Sequence, residues 1–266
     1  MCRLYGVTRA GYYRWRSRER SERERRNEAL LGRIRRVHEE SRGIYGSPRV
    51  HRALRDKGEM ASENRVARLM RAHCIKARVA KIRYTNRKLQ SFFDGGRNEQ
   101  LGLELSGPDQ VWVGDITYLK VGGIYRYLAV VMDKYSRRIV GWAYGKHKDV
   151  ALTLKALNRA VHRRKPQRGL IFHTDRGIEY AALAFKARLS ELGITQSMNR
   201  PGKVTDNAFI ESFFHSMKSD IYHGLRYHRD EDIRAALTSY LPFYNSARLH
   251  SSLNYVPPAT FEQLTQ

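Results

Sequence analysis

Residues 111–145 read VWVGDITYLKVGGIYRYLAVVMDKYSRRIVGWAYG, and their pattern decides the fold. Three runs, VWVGDITYLKV, YRYLAVVMDKY and RRIVGWAY, are rich in Val, Ile, Tyr and Trp. Such residues suit a pleated, half-buried surface. VGGI separates the first two runs and SRR follows the second, so the spacing predicts three antiparallel strands in sequence order. Asp115 stands inside the first run. A charge within a strand that should otherwise be buried is costly unless something pairs it.

Downstream, DVALTLKALNRAVHRR has the period of an amphipathic helix, and GLIFHTD that of a short buried strand ending in polar residues. AALAFKARLSELG predicts a second helix, ITQSMN a further strand, PGKVT a loop and DNAFIESFFHSMKSDIYH a third helix. Strand-strand-strand-helix-strand-helix-strand-helix is the element order of an RNase H-like α/β fold, a mixed sheet between helices. We place this core at 109–225, with 226–266 as a C-terminal helical extension.

Upstream, the chain is of another kind. Residues 1–90 carry a net charge of +17 and the remaining 176 residues one of +7, within a total of +24 over 266 residues. Charge asymmetry of this size predicts a basic DNA-contacting region joined to a different module. Thr8 could cap a short helix that ends in Tyr12, Tyr13 and Trp15. RSRERSERERRNEALLGRIRRVHEES follows, with Leu30, Leu31, Ile34 and Val37 at helical spacing. Ser47-Pro48 signals the next helix, which should stop near Gly58, and Ser62 a further one. Two short helices joined by GEMA predict a small all-α, helix-turn-helix-like region whose second helix presents Asn64, Arg65, Arg68 and Arg71. A helical bundle with a solvated basic surface is the plain alternative. Residues 91–108, SFFDGGRNEQLGLELSGP, have glycines, a proline and no period, and are read as a linker.

Composition narrows the partners. A pI near 10.4 answers a polyanion, and nucleic acid comes first because displaced counterions drive its binding. No stretch approaches the ~20 apolar residues that span a bilayer, and the N-terminus lacks an apolar run after its charges. The expectation is a soluble intracellular protein with no membrane partner. Cys2 and Cys74 form no metal-binding spacing.

Three acids fall where such a fold would bring them together. Asp115 lies in the first strand, Asp175 at the carboxyl end of the GLIFHT strand, and Glu211 beside the apolar face of the third helix. Three carboxylates suit phosphodiester transfer, since hard oxygen donors can hold two Mg²⁺ ions about 3.5–4 Å apart around an in-line displacement. We take Asp115 as the bridging ligand. Spacing alone is weak evidence among 26 acids. Asp133 also ends a strand, and a hydrogen-bonded structural role is the ordinary reading of a lone strand aspartate.

WVGDITYL, FHTDRGIEY, DNAFIESFFHSMK and FYNSARLHSSLNYVPPATFE resemble the integrase-type transposases of bacterial insertion sequences, more narrowly the second reading-frame (OrfB) product. The likeness covers nearly the whole chain, including YGSPRVHRAL and ENRVARLMR. Thirty-five residues separate Asp175 from Glu211, and Lys218 stands seven residues after Glu211. The resemblance implies a retroviral integrase-type core that exposes a DNA 3′ end and transfers it, using Mg²⁺ or Mn²⁺, two ions per site. Asp115, Asp175 and Glu211 would be the catalytic metal ligands. Lys218 would contact terminal DNA, with Asn207 and Lys203 near it and Arg65, Arg68 and Arg71 in the basic region. His173 is either near the metals or structural, Asp206 is read as a helix cap, and Asn245, Arg248 and His250 as mainly structural. The implied partners are terminal inverted repeats, target DNA, further copies of the chain and the first-reading-frame product, in a bacterial cytoplasm at the nucleoid. A non-catalytic DNA-binding regulator and a plain nuclease are the competing readings.

Overall fold

The computed structural model describes residues 4, 6–17, 20–78, 97–200, 207–222 and 225–265. They belong to two compact units that divide between Ala77 and Arg78.

The first unit is helical. Helix α1 (Arg9–Arg16) starts at Thr8, whose hydroxyl accepts the Gly11 N–H at 3.0 Å. Helix α2 (Glu22–Glu40) starts with a capping box: Ser21 Oγ accepts the Glu24 N–H, and the Glu24 carboxylate accepts the Ser21 N–H. Helices α3 (Ser47–Asp56) and α4 (Glu63–Ala72) follow. Ser62 caps α4 as expected, but α3 is capped one residue earlier than its sequence signal. Gly46 takes the extended cap position, and Ser47 enters the helix without a capping hydrogen bond. Leu30, Leu31, Ile34 and Val37 of α2 are buried with Val50 and Leu54 of α3 and with Val66, Leu69 and Met70 of α4. Each such side chain contributes about 1.5–3 kcal/mol on burial, and that shared core holds α2, α3 and α4 together.

The second unit contains a five-stranded sheet. Strands β1 (Val111–Val121), β2 (Ile124–Asp133) and β3 (Ile139–Gly145) are antiparallel neighbours. Strands β4 (Ile171–Thr174) and β5 (Thr195–Met198) add parallel pairs on the other side of β1. The order is β3-β2-β1-β4-β5, the mixed sheet predicted from the element order. Val121 pairs with Ile124, so Gly122 and Gly123 alone make the first turn, both at positive φ (+56° and +85°). A two-residue hairpin with that backbone matches the strand twist, and glycine adopts it without strain.

Helix α5 (Val150–Arg164) is capped by Asp149, which accepts the Leu152 N–H at 2.9 Å. It lies so close to β3 that a Cβ on Gly141 would stand 2.4 Å from the Ala156 carbonyl oxygen. The predicted second helix forms two residues after its sequence run begins, and a short helix that was not predicted precedes it. A short α6 (Ile178–Ala181) and α7 (Leu183–Glu191) are separated by Ala182, whose ψ of 138° is extended. Nothing local in the alanine-rich sequence announces this break; it accompanies burial of Glu179, Tyr180 and Phe185. Trp112, Leu157, Phe172 and Phe185 fill the core between the sheet and these helices.

Helix α8 (Ala208–Tyr222) contacts β1, and the Tyr222 hydroxyl donates to the Lys120 carbonyl at 3.2 Å. Helices α9 (Asp230–Ser246) and α10 (Pro258–Leu264) complete the unit. Asn245 bonds both the N–H and the carbonyl of Ile139 at 2.9 Å, and Arg248 is paired with buried Asp220 at 2.9 Å. His250 stacks edge-on against Tyr244. Each of the three has a partner within the fold. In the stretch read as a linker, residues 91–96 lie outside the described residues, while the Arg97 carbonyl accepts the Met198 N–H of β5. Among the described residues no helix is long and apolar enough to cross a membrane.

Candidate active site

Parallel pairing of β1 with β4 sets Gly114 opposite Thr174. The next residue on each strand is an aspartate, Asp115 on β1 and Asp175 just past the end of β4. Neighbouring strands run about 4.8 Å apart, so the sheet itself delivers two carboxylates side by side. The Asp115 carboxylate accepts its neighbour Ile116 N–H at 2.7 Å, and Asp175 accepts the Gly177 N–H at 3.0 Å. Glu211 comes from the first turn of α8 and is half-buried like both aspartates.

The electrostatics show that the three acids share one neighbourhood. Burial, then the Asp175 charge and then that of Glu211 push the Asp115 carboxyl well above its ordinary range. Its hydrogen bond from Ile116 and the Lys148 ammonium oppose the rise. Asp175 is raised by burial and by Glu179, against Gly177 N–H and Lys148. Glu211 is raised by burial and by Asp175. Like charges gathered in partly desolvated surroundings call for a cation. Carboxylate oxygens are the hard donors that Mg²⁺ or Mn²⁺ prefers, so the donor set fits such an ion. Among the described residues, however, no three His, Cys, Asp or Glu side chains stand close enough together to enclose a metal ion. Asp115, Asp175 and Glu211 share a field without forming a closed ligand shell.

Lys218, two turns along α8 from Glu211, is not a freely solvated lysine. Its ammonium lies 4.2 Å from the centre of the Tyr118 ring. Burial lowers its pKa to about 8, against the pull of Asp115. Asn207, at the start of α8, is buried, and its Oδ1 has no hydrogen-bond partner. That position suits support of the site better than a surface contact. His173 is fully buried between Ser197 Oγ (2.8 Å) and Asn199 Oδ1 (2.7 Å), so both ring nitrogens have partners within the fold. Lys203 and Asp206 lie outside the described residues. In the first unit, Arg68 and Arg71 are exposed, whereas Arg65 spends its guanidinium on Asn27 Oδ1 at 3.0 and 2.8 Å.

Two further charged residues stand at the acids and were not singled out from the sequence. Glu179 of α6 is buried, and Lys148 forms an ion pair with it at 3.3 Å. The legible signal was an acid beside Tyr180 in a segment otherwise packed inward. Gly177 makes room for this arrangement, because a Cβ there would stand 3.0 Å from both Asp175 Oδ1 and Glu179 Oε2.

Known sequences and structures resemble this chain along most of its length. The Integrase core domain family matches residues 106–204, a second Integrase core domain family matches 192–258, and an HTH-like domain family matches 24–83. The chain is 34% identical over 266 residues to the transposase InsF for insertion sequence IS3A of Escherichia coli (strain K12), covering 98% of this chain and 92% of that one. It is 33% identical to the 31 kDa protein of insertion element IS600 of Shigella sonnei, covering 99% and 97%. It is 32% identical to the transposase for insertion sequence element IS904 of Lactococcus lactis, covering 89% and 94%. In three dimensions it is similar in fold to a chain of the simian T-cell lymphotropic virus intasome in complex with PP2A regulatory subunit B56 gamma. That likeness has a TM-score of 0.53 at 16% identity, over 86% of this chain and 74% of the other.

Proposed function

Because this chain belongs to the insertion-sequence transposases built on an RNase H-like integrase core, we propose that it cleaves DNA at the 3′ ends of its element and transfers them to target DNA. Asp115, Asp175 and Glu211 are the catalytic acids in this reading. The observation that carries it is the β1–β4 register, which makes Asp115 and Asp175 neighbours, with the Glu211 charge felt by Asp115. Two divalent ions, Mg²⁺ or Mn²⁺, would supply the charge that activates water and then a DNA 3′-OH and that stabilises the leaving oxygen. Asp115, which feels the charge of both other acids, would be shared between the ions, with Asp175 and Glu211 each holding one. Lys218 would hold the terminal DNA against the acids, with Tyr118 beneath its ammonium, and Asn207 would brace the start of α8. The described cations Arg68 and Arg71 of the helix-turn-helix-like unit would bind phosphates, and two DNA ends would require more than one copy of the chain. Residues 1–90 would be the DNA-binding region, and terminal inverted repeats, target DNA and the first-reading-frame product its partners, in the bacterial cytoplasm.

The test is incubation with a labelled DNA end, with and without Mg²⁺, followed by sizing of the products. Nicked ends together with joined strands are expected. Hydrolysis alone would mean a nuclease, and a mobility shift without products a binding protein. Asp115→Asn, Asp175→Asn and Glu211→Gln should each keep DNA binding and lower strand transfer by about a thousandfold or more, the scale set by losing charge stabilisation of a transition state. Wild-type transfer by any one of them removes that residue from the site.

A further inference from the structure

Glu179 is an awkward residue for a fold to bury. Its Oε1 meets the Lys148 ammonium at 3.3 Å, but its Oε2 is buried with no hydrogen-bond partner, beside Asp175. A buried carboxylate oxygen left unpaired is a standing cost. An exposed salt bridge in exchange would stabilise little. The pair is therefore not explained by stability.

Its geometry suggests another use. Lys148 is not buried with its partner, since 45% of its side chain remains exposed while that of Glu179 is 4% exposed. It immediately precedes Asp149, the cap of α5, so its backbone is fixed by the helix start. An ammonium has three donors, and its ion pair with Glu179 leaves room for another acceptor. The Lys148 charge acts on both Asp115 and Asp175. The charge of Asp115 is also felt by Lys218, from α8. A phosphate approaching these carboxylates meets repulsion that a fixed cation at their edge would offset.

We propose that Lys148 grips a phosphate oxygen of the DNA presented to Asp115 and Asp175, and that buried Glu179 is the positioning residue that holds its ammonium there. The inference rests on the transposase reading for the identity of the bound phosphodiester. A lysine on a flexible stem is a point charge that must be oriented at an entropic cost. Glu179 removes much of that cost before DNA arrives, and Gly177 leaves the space that lets it do so.

The test is equilibrium binding of the whole chain to a labelled short DNA duplex in EDTA, over a series of salt concentrations. Lys148→Met should weaken binding and flatten the dependence of log affinity on log salt by about one phosphate contact, a slope change near 0.9. Lys148→Arg should restore the slope. Glu179→Gln should weaken binding several-fold, and Lys148→Met/Glu179→Gln should be no weaker than Lys148→Met alone. Thermal melting checks that Lys148→Met, which strips buried Glu179 of its counter-charge, and Glu179→Gln both fold, and the double variant, which leaves no buried charge unpaired, tests the proposal by itself. An unchanged slope in Lys148→Met, or penalties that add in the double variant, would overturn it. Because no DNA is cut in EDTA, absence of Mg²⁺-dependent products would sink the transposase reading and leave this result standing. An unchanged slope in a chain that does join DNA would sink the role of Lys148 alone.

Discussion

Two clusters of acids lie along β1, one buried around Asp133 and one half-buried around Asp115, and they are built on opposite principles. Near its start, Asp133 accepts the N–H groups of Asp109 (2.7 Å) and Ser136 (2.8 Å) and the Ser136 hydroxyl (2.8 Å). Ser136 reaches on to Glu262 at 2.7 Å, and Arg164 joins Glu262 to Asp109 with contacts of 2.6–3.2 Å. Arg138 also pairs with Glu262. Burial alone would raise the Glu262 carboxyl, yet Ser136, Arg138 and Arg164 hold it below its ordinary value. Three residues beyond Trp112, Asp115 has one hydrogen bond from its own backbone neighbour and is surrounded by further acids. Burial raises the Asp133 carboxyl as it raises Asp115, but at Asp133 the bonds from Ser136 and Asp109 oppose the rise, whereas at Asp115 the charges of Asp175 and Glu211 add to it. Frustration that a fold retains is a mark of work done on something outside the chain.

The sharpest way to break this contrast is to exchange the consequences of mutation. Arg164→Met removes the guanidinium that links Asp109 to Glu262 and leaves buried Glu262 to Arg138 and Ser136. It should destabilise the protein by about 3 kcal/mol, read from a urea unfolding midpoint. At the other cluster, Asp115→Asn removes one of several repelling charges and should stabilise the protein by on the order of 1 kcal/mol at neutral pH without divalent metal. The sign follows from the raised folded-state pKa of Asp115. A raised carboxyl favours the folded state while it is protonated and disfavours it once pH has risen through the folded value. The gain from Asp115→Asn should therefore vanish at acid pH, where the wild-type side chain is protonated folded and unfolded alike. If Asp115→Asn were as damaging to stability as Arg164→Met, the two clusters would not differ in kind.

How much of this could be read in advance depends on how far apart the partners are in sequence. The Gly122-Gly123 hairpin is local, and so was legible. Asp115 and Asp175 were legible because strand ends can be located from hydrophobic runs, and pairing of β1 with β4 then brings them together. The fate of Asp133 was not, since Glu262 lies 129 residues away and Arg164 31. Nothing near Asp133 distinguishes a satisfied aspartate from a reactive one. The short α6 was hidden for a related reason: it forms ahead of the predicted helix and ends at Ala182, where packing of Tyr180 and Phe185 overrides alanine's helical preference. Glu179 and Lys148 come from segments that a linear reading assigns to a loop edge and a helix start, and only the fold pairs them.

Lys218 offers the finest test of the frustrated cluster, because it is the cation that shares the field. Burial against Tyr118 lowers its pKa to about 8, and Asp115 limits the fall. A base whose folded pKa is depressed loses its charge as pH rises through that value, so its hold on a phosphate should weaken from about pH 8 upward. Bound phosphate favours the charged form, so DNA binding near pH 9 should take up a fraction of a proton, seen as a buffer-dependent heat in calorimetry. Lys218→Arg stays charged there and should abolish that uptake, with affinity changed several-fold at most. Asp115→Asn removes the opposing charge, so the ammonium in that variant should lose its proton at still lower pH. If proton uptake did not respond to Asp115→Asn, Lys218 and the acids would not be acting on one another, and the site would be two sites.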